Sequence, residues 1–273
     1  MAHAWLMRPL PMVVLSPLGA TVGSPSYLAN DYLGVVWGNA GTSMVDTGSG
    51  TSYHLIDFDL GKDTLVDTII ALGMTSLPVD SIAQVWAATS AQGPFSGDAW
   101  IGPSFQPYAG SAQLPSGELT LQWSAPLNGT PPIARYWRIL IYSTTRFYFQ
   151  MRRVLIGRRF SPARNFSNGA AFGVRDLGTA DFSRRGVLLR TRGAKLRTVG
   201  LTFSSLYKDE LEEKLQPLLE YLGNTEMLAL ITDPDPHAQR SRRTFYGQLV
   251  GEVGSIQRRA GAWQAAINLV SLM

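Results

Sequence analysis

RYWRILIYSTTRFYFQMRRVLIG, residues 135–157, decides how the chain is read. Tyr136, Arg138, Leu140 and Tyr142 alternate with Trp137, Ile139, Ile141 and Ser143, and the run 146–156 is again rich in aromatic and branched residues. Period-two alternation of this kind is the mark of strands, and the Ser143-Thr144-Thr145 break predicts two adjacent strands joined by a short connection. Upstream, turn signals recur at Gly23-Ser24-Pro25, Gly38-Asn39, Gly93-Pro94, Gly102-Pro103 and Asn128-Gly129, with short apolar runs between them. That spacing predicts an all-β sandwich or jelly roll with strands near 54–60, 67–72, 81–88 and 118–124.

At 273 residues the chain is long enough for two domains, and its charge divides accordingly. Residues 1–150 hold five Lys/Arg against nine Asp/Glu, a balance of −4 in a chain of net charge +4, so residues 151–273 carry +8. A basic pI confined to one half is no whole-protein nucleic-acid signal. Without cysteine there are no disulfides, zinc-thiolate sites or thiol nucleophiles. At the start, Pro9, Pro11 and Pro17 break the apolar residues and predict an extended arm over 1–17. No apolar run there approaches the roughly 20 residues that span a bilayer, and Arg8 comes too late for a secretory leader, so the expectation is a soluble protein folded in a cytoplasm.

Three ordered stretches of the first half resemble the discoidin-like, or galactose-binding-like, family: YLANDYLGVVWGNAGTS at 27–43, YHLIDFDLGKDTLVDTIIALG at 53–73 and ARYWRILI at 134–141. The resemblance implies a jelly-roll sandwich over 18–157 with Trp37 in its core, a turn at Asp59-Leu60-Gly61, and Arg135 and Arg138 on a late strand. Pairing of those arginines with acids of the early strands is the favoured role, ligand binding the other. Members of the family bind sugars, lipids or proteins through loops at one end, and some hold calcium. Exposed aromatics stack on sugar faces, which makes Tyr32, Asn39, Trp100, Phe105 and Tyr108 candidate ligand residues; plugging of the sandwich end by Trp100 and Phe105 is the competing reading. No cofactor is expected beyond a structural calcium, for which Asn30, Asp31 and Asp46 offer oxygens.

In the second half, residues 158–197 are Arg-rich, with Arg158, Arg159, Arg164, Arg175, Arg184 and Arg185 interleaved with Phe160, Phe166, Phe172 and Phe182. Basic residues among aromatics suit single-stranded nucleic acid, but no nucleic-acid motif accompanies them. Connecting loops and edge strands used in assembly are the preferred reading. Val199, Leu201 and Phe203 alternate along a strand; Thr202, Ser204 and Ser205 offer capping hydroxyls. Leu211, Leu215, Leu218, Leu219 and Leu222 then form one apolar helical stripe, with Pro217 a source of kinking and Gly223-Asn224 a stop. Strands are predicted at 227–231, 244–250 and 263–272.

ITDPDP at 231–236, FYGQL at 245–249 and WQAAINLVSL at 263–272 make residues 195–273 similar to the domain from which tailed bacteriophages build tail tubes and the distal rings beneath them. In that family neighbouring subunits complete a ring of sheet. The fold expected is mainly β: a discoidin-like sandwich over 18–157 followed by a tail-tube-like β-sandwich or barrel over 158–273 carrying one amphipathic helix.

Catalytic constellations are missing from the sequence. His3, His54 and His237 are scattered, no nucleophile elbow or phosphate loop occurs, and Asp57 with Asp59 is better read as a solvated or salt-bridged pair than as an acid and a base. The two resemblances together imply a virion protein of a long-tailed phage distal tail or baseplate. It would be made in the host cytoplasm, form a homo-oligomeric ring, bind the tail tube, hub and fibre proteins, and display a module for a host-surface glycan, with no membrane insertion and no nucleic acid. A stand-alone carbohydrate-binding module and a nucleic-acid-binding protein using the basic half are the alternatives.

Overall fold

The computed structural model of the chain describes residues 3–15, 21–39, 44–46, 51–75, 77–95, 99–107, 118–125, 132–237, 239–252, 254–259 and 261–272. It is mainly β, and its contacts divide it into two units. A sandwich unit comprises Pro9–Arg159 and Asp235–Thr244, and a sheet unit comprises Met1–Arg8, Phe160–Pro234 and Phe245–Met273. The boundaries differ from three consecutive segments. The sandwich is an insertion, because the chain runs through Trp5–Met7 in the sheet unit, leaves it, and re-enters at Phe160.

In the sandwich unit one sheet contains Val13–Val14, Thr51–Leu65, Ile133–Ser143, Ile82–Ala88 and Trp100–Ile101 in that order, with Met44–Asp46 also paired to Thr51–Leu65. Another sets Thr68–Met74 between Leu119–Ser124 and Arg153–Gly157. Ile56, Phe58, Val85, Trp137 and Ile139 of the first sheet and Ile69, Leu121, Trp123, Val154 and Ile156 of the second share one buried core, as two packed sheets with inward alternation require. Gln150–Met151, Trp37–Asn39 and Thr21–Val22 form a smaller sheet, where Trp37 is buried and meets the Phe149 ring edge-on at 6.0 Å.

The deciding stretch departs from its reading as two adjacent strands. Ile133–Ser143 pairs with Thr51–Leu65 and Ile82–Ala88, whereas Arg153–Gly157 pairs with Thr68–Met74 in the other sheet. Between them the chain crosses the sandwich. Asp80 fixes the corner, its carboxylate accepting from Ser143 Oγ at 2.8 Å, Thr144 N at 2.8 Å and Thr144 Oγ1 at 2.5 Å. Those donors, led by the Thr144 hydroxyl, lower its pKa to about 2. Phe147 and Phe149 then bury beyond the corner, and burial of both rings fixes the crossing in a way alternation cannot encode.

Asp59-Leu60-Gly61 is also not a strand end. The strand Thr51–Leu65 continues through it, and its register against Ile133–Ser143 shifts between Ala134 and Tyr136. Gly61 has φ +78° and donates its N–H to Asp59 Oδ1 at 2.7 Å, so the glycine serves a bulge inside a long strand.

The sheet unit is built on the order Arg159–Phe160, Trp5–Met7, Met227–Ile231, Thr244–Leu249, Ala262–Ser271, Lys195–Leu206, Ala171–Asp176, with Ser255–Arg259 folded onto Ala262–Ser271. Part of the expected arm therefore belongs to a sheet, Trp5, Leu6 and Met7 lying opposite Ile231, Leu230 and Ala229. Leu211, Leu215, Leu219 and Leu222 pack into the same core as Leu201, Phe203, Leu230 and Ile267. Their helix is α over Lys208–Glu210, π over Leu211–Leu215 and α again over Gln216–Leu222. Gln216 N–H reaches the Leu211 carbonyl five residues back. This wide turn lies just ahead of Pro217, which has no N–H and whose ring crowds the turn before it.

The helix start is a further correction. Lys195–Leu206 runs as strand through Thr202, Ser204 and Ser205, and the cap is made by Glu210, whose carboxylate accepts from Tyr207 N at 3.2 Å and Ala163 N at 2.6 Å.

Candidate binding surfaces

Two surfaces stand out, one on each unit. On the outer face of the larger sandwich sheet, strand register sets Trp86, Arg138 and Asp57 abreast. The Arg138 guanidinium grips Asp57 with two bonds of 2.7 Å. One step along, Arg135 holds Asp59 at 2.7 and 2.8 Å, which lowers the Asp59 pKa, with help from the Gly61 amide. Each carboxylate of the Asp57/Asp59 pair thus has its own arginine, the salt-bridged arrangement expected of them.

Arg138 also lies 4.0 Å from the Phe95 ring centroid and 5.7 Å from that of Trp86. Phe95 has φ +58°, a left-handed conformation that costs a bulky residue energy. The Trp86 indole is oriented by donating to Gln84 Oε1 at 2.9 Å, and Gln84 Nε2 donates onward to the Gly102 carbonyl at 2.9 Å. The result is a pre-oriented patch of planar groups on a sheet face, the kind of surface on which flat ligands stack. Sequence reading placed Trp86 on a strand face but missed the patch, because Asp57 and Phe95 reach it only through register and a loop conformation. Asp57→Ala should cost about 2 kcal/mol of sandwich stability, between an exposed and a buried pair, and Asp57→Leu with Arg138→Leu much less, as urea midpoints would show.

Among the described residues, the loop positions proposed from sequence have different surroundings. Tyr32 is 69% exposed. Asn39 is buried, and its amide donates to His54 Nδ1 at 2.8 Å, which corrects its assignment as ligand-facing. Trp100 and Phe105 are partly buried against the core, Trp100 edge-on to Trp123 at 6.2 Å and Phe105 bridged to Ala83; they plug the sandwich. Tyr108 lies outside the described residues. For calcium, Asn30 Oδ1 already accepts from Tyr32 N at 2.8 Å, and Asp31 pairs at 3.0 Å with the buried Arg153. The guanidinium already pairs with Asp31, and the described residues bring no three acidic or histidine side chains together as a cation site. The Asp46 side chain lies outside the description.

His54 is buried in the sandwich. Its Nε2–H donates to the Phe147 carbonyl at 3.1 Å, and its ring meets Phe147 and Phe149 edge-on at 4.6 and 5.2 Å. Burial lowers its pKa below the usual 6.5, the Phe147 bond opposing this only in part. The unfolded chain then takes the proton first. Stability should be complete above about pH 6.5 and fall below it by up to about 1.4 kcal/mol per pH unit until the native imidazole titrates. The carboxylate of Asp80 stays charged throughout that window. His54→Gln should abolish the slope between pH 6.5 and 5 in urea unfolding.

On the sheet unit, Ala171–Asp176 and Lys195–Leu206 pair as an antiparallel hairpin, register Ala171↔Gly200 to Asp176↔Lys195. Beyond the sheet the hairpin continues as a two-stranded ribbon, Thr179–Phe182 against Leu188–Thr191. The two parts meet at a narrow waist: a Cβ on Gly193 would lie 2.2 Å from Gly178 N, an approach only glycine permits. The ribbon tip is ordered by Ser183, whose N–H donates to Val187 O at 2.8 Å and whose carbonyl accepts from Gly186 N at 2.9 Å. Phe182, Val187, Leu188 and Leu189 are 50–68% exposed, as are Phe172, Val174 and Leu177 nearer the sheet. Arg175, Arg184 and Arg185 of this hairpin and ribbon are exposed. Arg158, which belongs to the sandwich unit, and Arg164, stacked 5.0 Å over Tyr207, are exposed as well. Arg159 is corrected: its N–H donates to Asp67 Oδ1 at 2.8 Å and its guanidinium to Asp67 O and Thr68 Oγ1 at 3.0 and 3.2 Å, so it serves the fold rather than a free surface.

No family model matches the chain, and no curated protein does. Among solved structures, the chain resembles CBM32-1 from a family 31 glycoside hydrolase of Clostridium perfringens, with TM-score 0.38 and 12% identity over 55% of this chain and 96% of that one. It also resembles the family 32 CBM of C. perfringens NanJ in complex with galactose, with TM-score 0.37 and 13% identity over 56% and 99%. The C-terminal domain of a chitobiase from Bacteroides fragilis gives TM-score 0.38 and 12% identity over 56% and 98%. At this level of similarity the sheet topology above, and not the likeness, defines the fold.

Proposed function

We propose that the chain is a self-associating platform that displays a carbohydrate-binding β-sandwich. The observation that carries this reading is the division of labour in the chain: a sandwich inserted into a second unit that holds out an apolar, cationic ribbon. Exposed apolar clusters of this kind mark association surfaces. The strand Ala171–Asp176 also lies at the end of its sheet, and an edge strand finds its partner in a neighbouring copy.

The sandwich supplies the binding function through Trp86, Phe95 and Arg138 on its outer face and the exposed Tyr32. Each site alone is weak. Repetition in a ring raises avidity by roughly 10²–10⁴. The setting we assign is the distal tail or baseplate of a long-tailed phage, on the strength of the ordered stretches ITDPDP, FYGQL and WQAAINLVSL. There the ring would contact tail-tube, hub and fibre proteins and the sandwich a host glycan. The protein acts by assembly and adhesion and not by catalysis. No described helix is long and apolar enough to cross a membrane.

A glycan array probed with the assembled full-length protein tests the binding half. Binding that is lost in Trp86→Ala, with unfolding unchanged, supports the reading; no glycan bound by a folded assembly contradicts it. The ribbon's mixture of Phe182 with Arg184, Arg185 and Arg190 also suits single-stranded nucleic acid. That reading expects affinity for a polynucleotide falling steeply with salt.

A further inference from the structure

The sheet unit carries a groove that the described residues leave open. It runs between the helix end and the turn that precedes Ser255–Arg259, has a volume of about 620 Å³, and is lined by Gly223, Asn224, Gly251, Glu252 and Gly254, with Glu220 on its adjoining wall. Gly223 and Gly251 have φ +47° and +87°, so their conformations call for glycine. Gly254 is different. Its φ lies outside the left-handed range and an added Cβ would meet nothing within 4 Å. The fold makes no demand for glycine there, and the position leaves bare backbone facing the groove.

The charges of groove and ribbon are complementary. Glu220 and Glu252 are exposed, and neither makes an ion pair among the described residues. At the ribbon tip Arg184 and Arg185 are equally exposed, with no ion pair among the described residues, and the turn that presents them is ordered by Ser183. Among the described residues, one unit thus carries two carboxylates without cations, Glu220 accepting only from the Gln216 amide at 2.9 Å, and two cations without carboxylates.

We propose that the ribbon tip of one copy seats in this groove of the next, Arg184 and Arg185 against Glu220 and Glu252, with the ribbon backbone lying on the glycine floor. The occupant is a second copy of this chain. The inference rests on the self-association proposed above and names the contact that makes it. Tip and groove are different surfaces, so two copies that exchange tips close as a dimer, while tips passed head to tail build a ring or filament.

Charge exchange in the full-length protein tests it, read as mass by light scattering across concentration. Arg184→Glu with Arg185→Glu should weaken association about 100-fold, since like charges then meet in the groove. Glu220→Arg with Glu252→Arg should do the same. Mixing the two variants should restore association, because the tip of one then matches the groove of the other. Gly254→Leu, which adds a side chain to the groove lining at a position with open space and no left-handed φ, should also weaken association while leaving thermal unfolding unchanged. Wild-type association by both charge variants, or a mixture that stays dissociated, overturns the groove assignment. If serine substitutions in the apolar ribbon dissociate the protein while the charge variants do not, self-association stands and the groove contact falls. A wild-type protein that is monomeric throughout overturns both.

Discussion

Replacing Phe182, Leu188 and Leu189 by serine should reduce the assembled protein to monomers without lowering its melting temperature. The three side chains are 68%, 50% and 56% exposed, so the isolated fold gains little from them. In the proposed assembly their burial against a neighbour contributes about 1.5 kcal/mol or more each, and losing it would amount to roughly a thousandfold in association. Sedimentation velocity and calorimetry on the same samples check both halves. A fall in melting temperature with association intact would show that the ribbon serves the fold instead.

Trp137→Ala should give the largest stability effect in the chain, a loss of about 3–5 kcal/mol. Trp137 is wholly buried, lies 6.1 Å from Trp123 between ring centroids, and donates its indole N–H to the Ala134 carbonyl at 3.2 Å. The cavity would open in the core built from Ile56, Phe58, Val85, Trp123 and Ile156, while the sheet unit keeps a separate cluster around Leu201, Phe203, Leu215 and Leu230. Differential scanning calorimetry should therefore show one transition moving down and another holding. A single transition shifting as a whole would mean that the two cores unfold together.

How far these features can be read from sequence depends on the range of the forces that fix them. The leucine stripe from Leu211 to Leu222 is local and periodic, and it buries as its spacing requires. The alternation of residues 136–143 gives the inward face, since Trp137, Ile139 and Ile141 are all fully buried. The partner of the following strand is not local, because the corner is fixed by Asp80, more than sixty positions upstream. Trp5–Met7 is only three residues long, too short to show a period, and joins its sheet through pairing with residues some 220 positions away.

The binding surfaces are harder still. Asn39 looks like a loop amide until His54 is placed 2.8 Å from it. Trp86, Phe95, Arg138 and Asp57 come from four separate segments. The ribbon hides for another reason: both of its faces are exposed, so its apolar and basic residues follow no inward alternation and resemble a connecting loop. Its exposed Phe and Leu have meaning only when set beside a fold that leaves them uncovered.

The mass of the intact protein in solution, followed by light scattering over concentration and salt, tests the central claim most directly. Assembly through the ribbon predicts a defined multimer that weakens as salt screens the arginines. A monomer at every concentration and salt would contradict it and leave the sandwich as an isolated binding module.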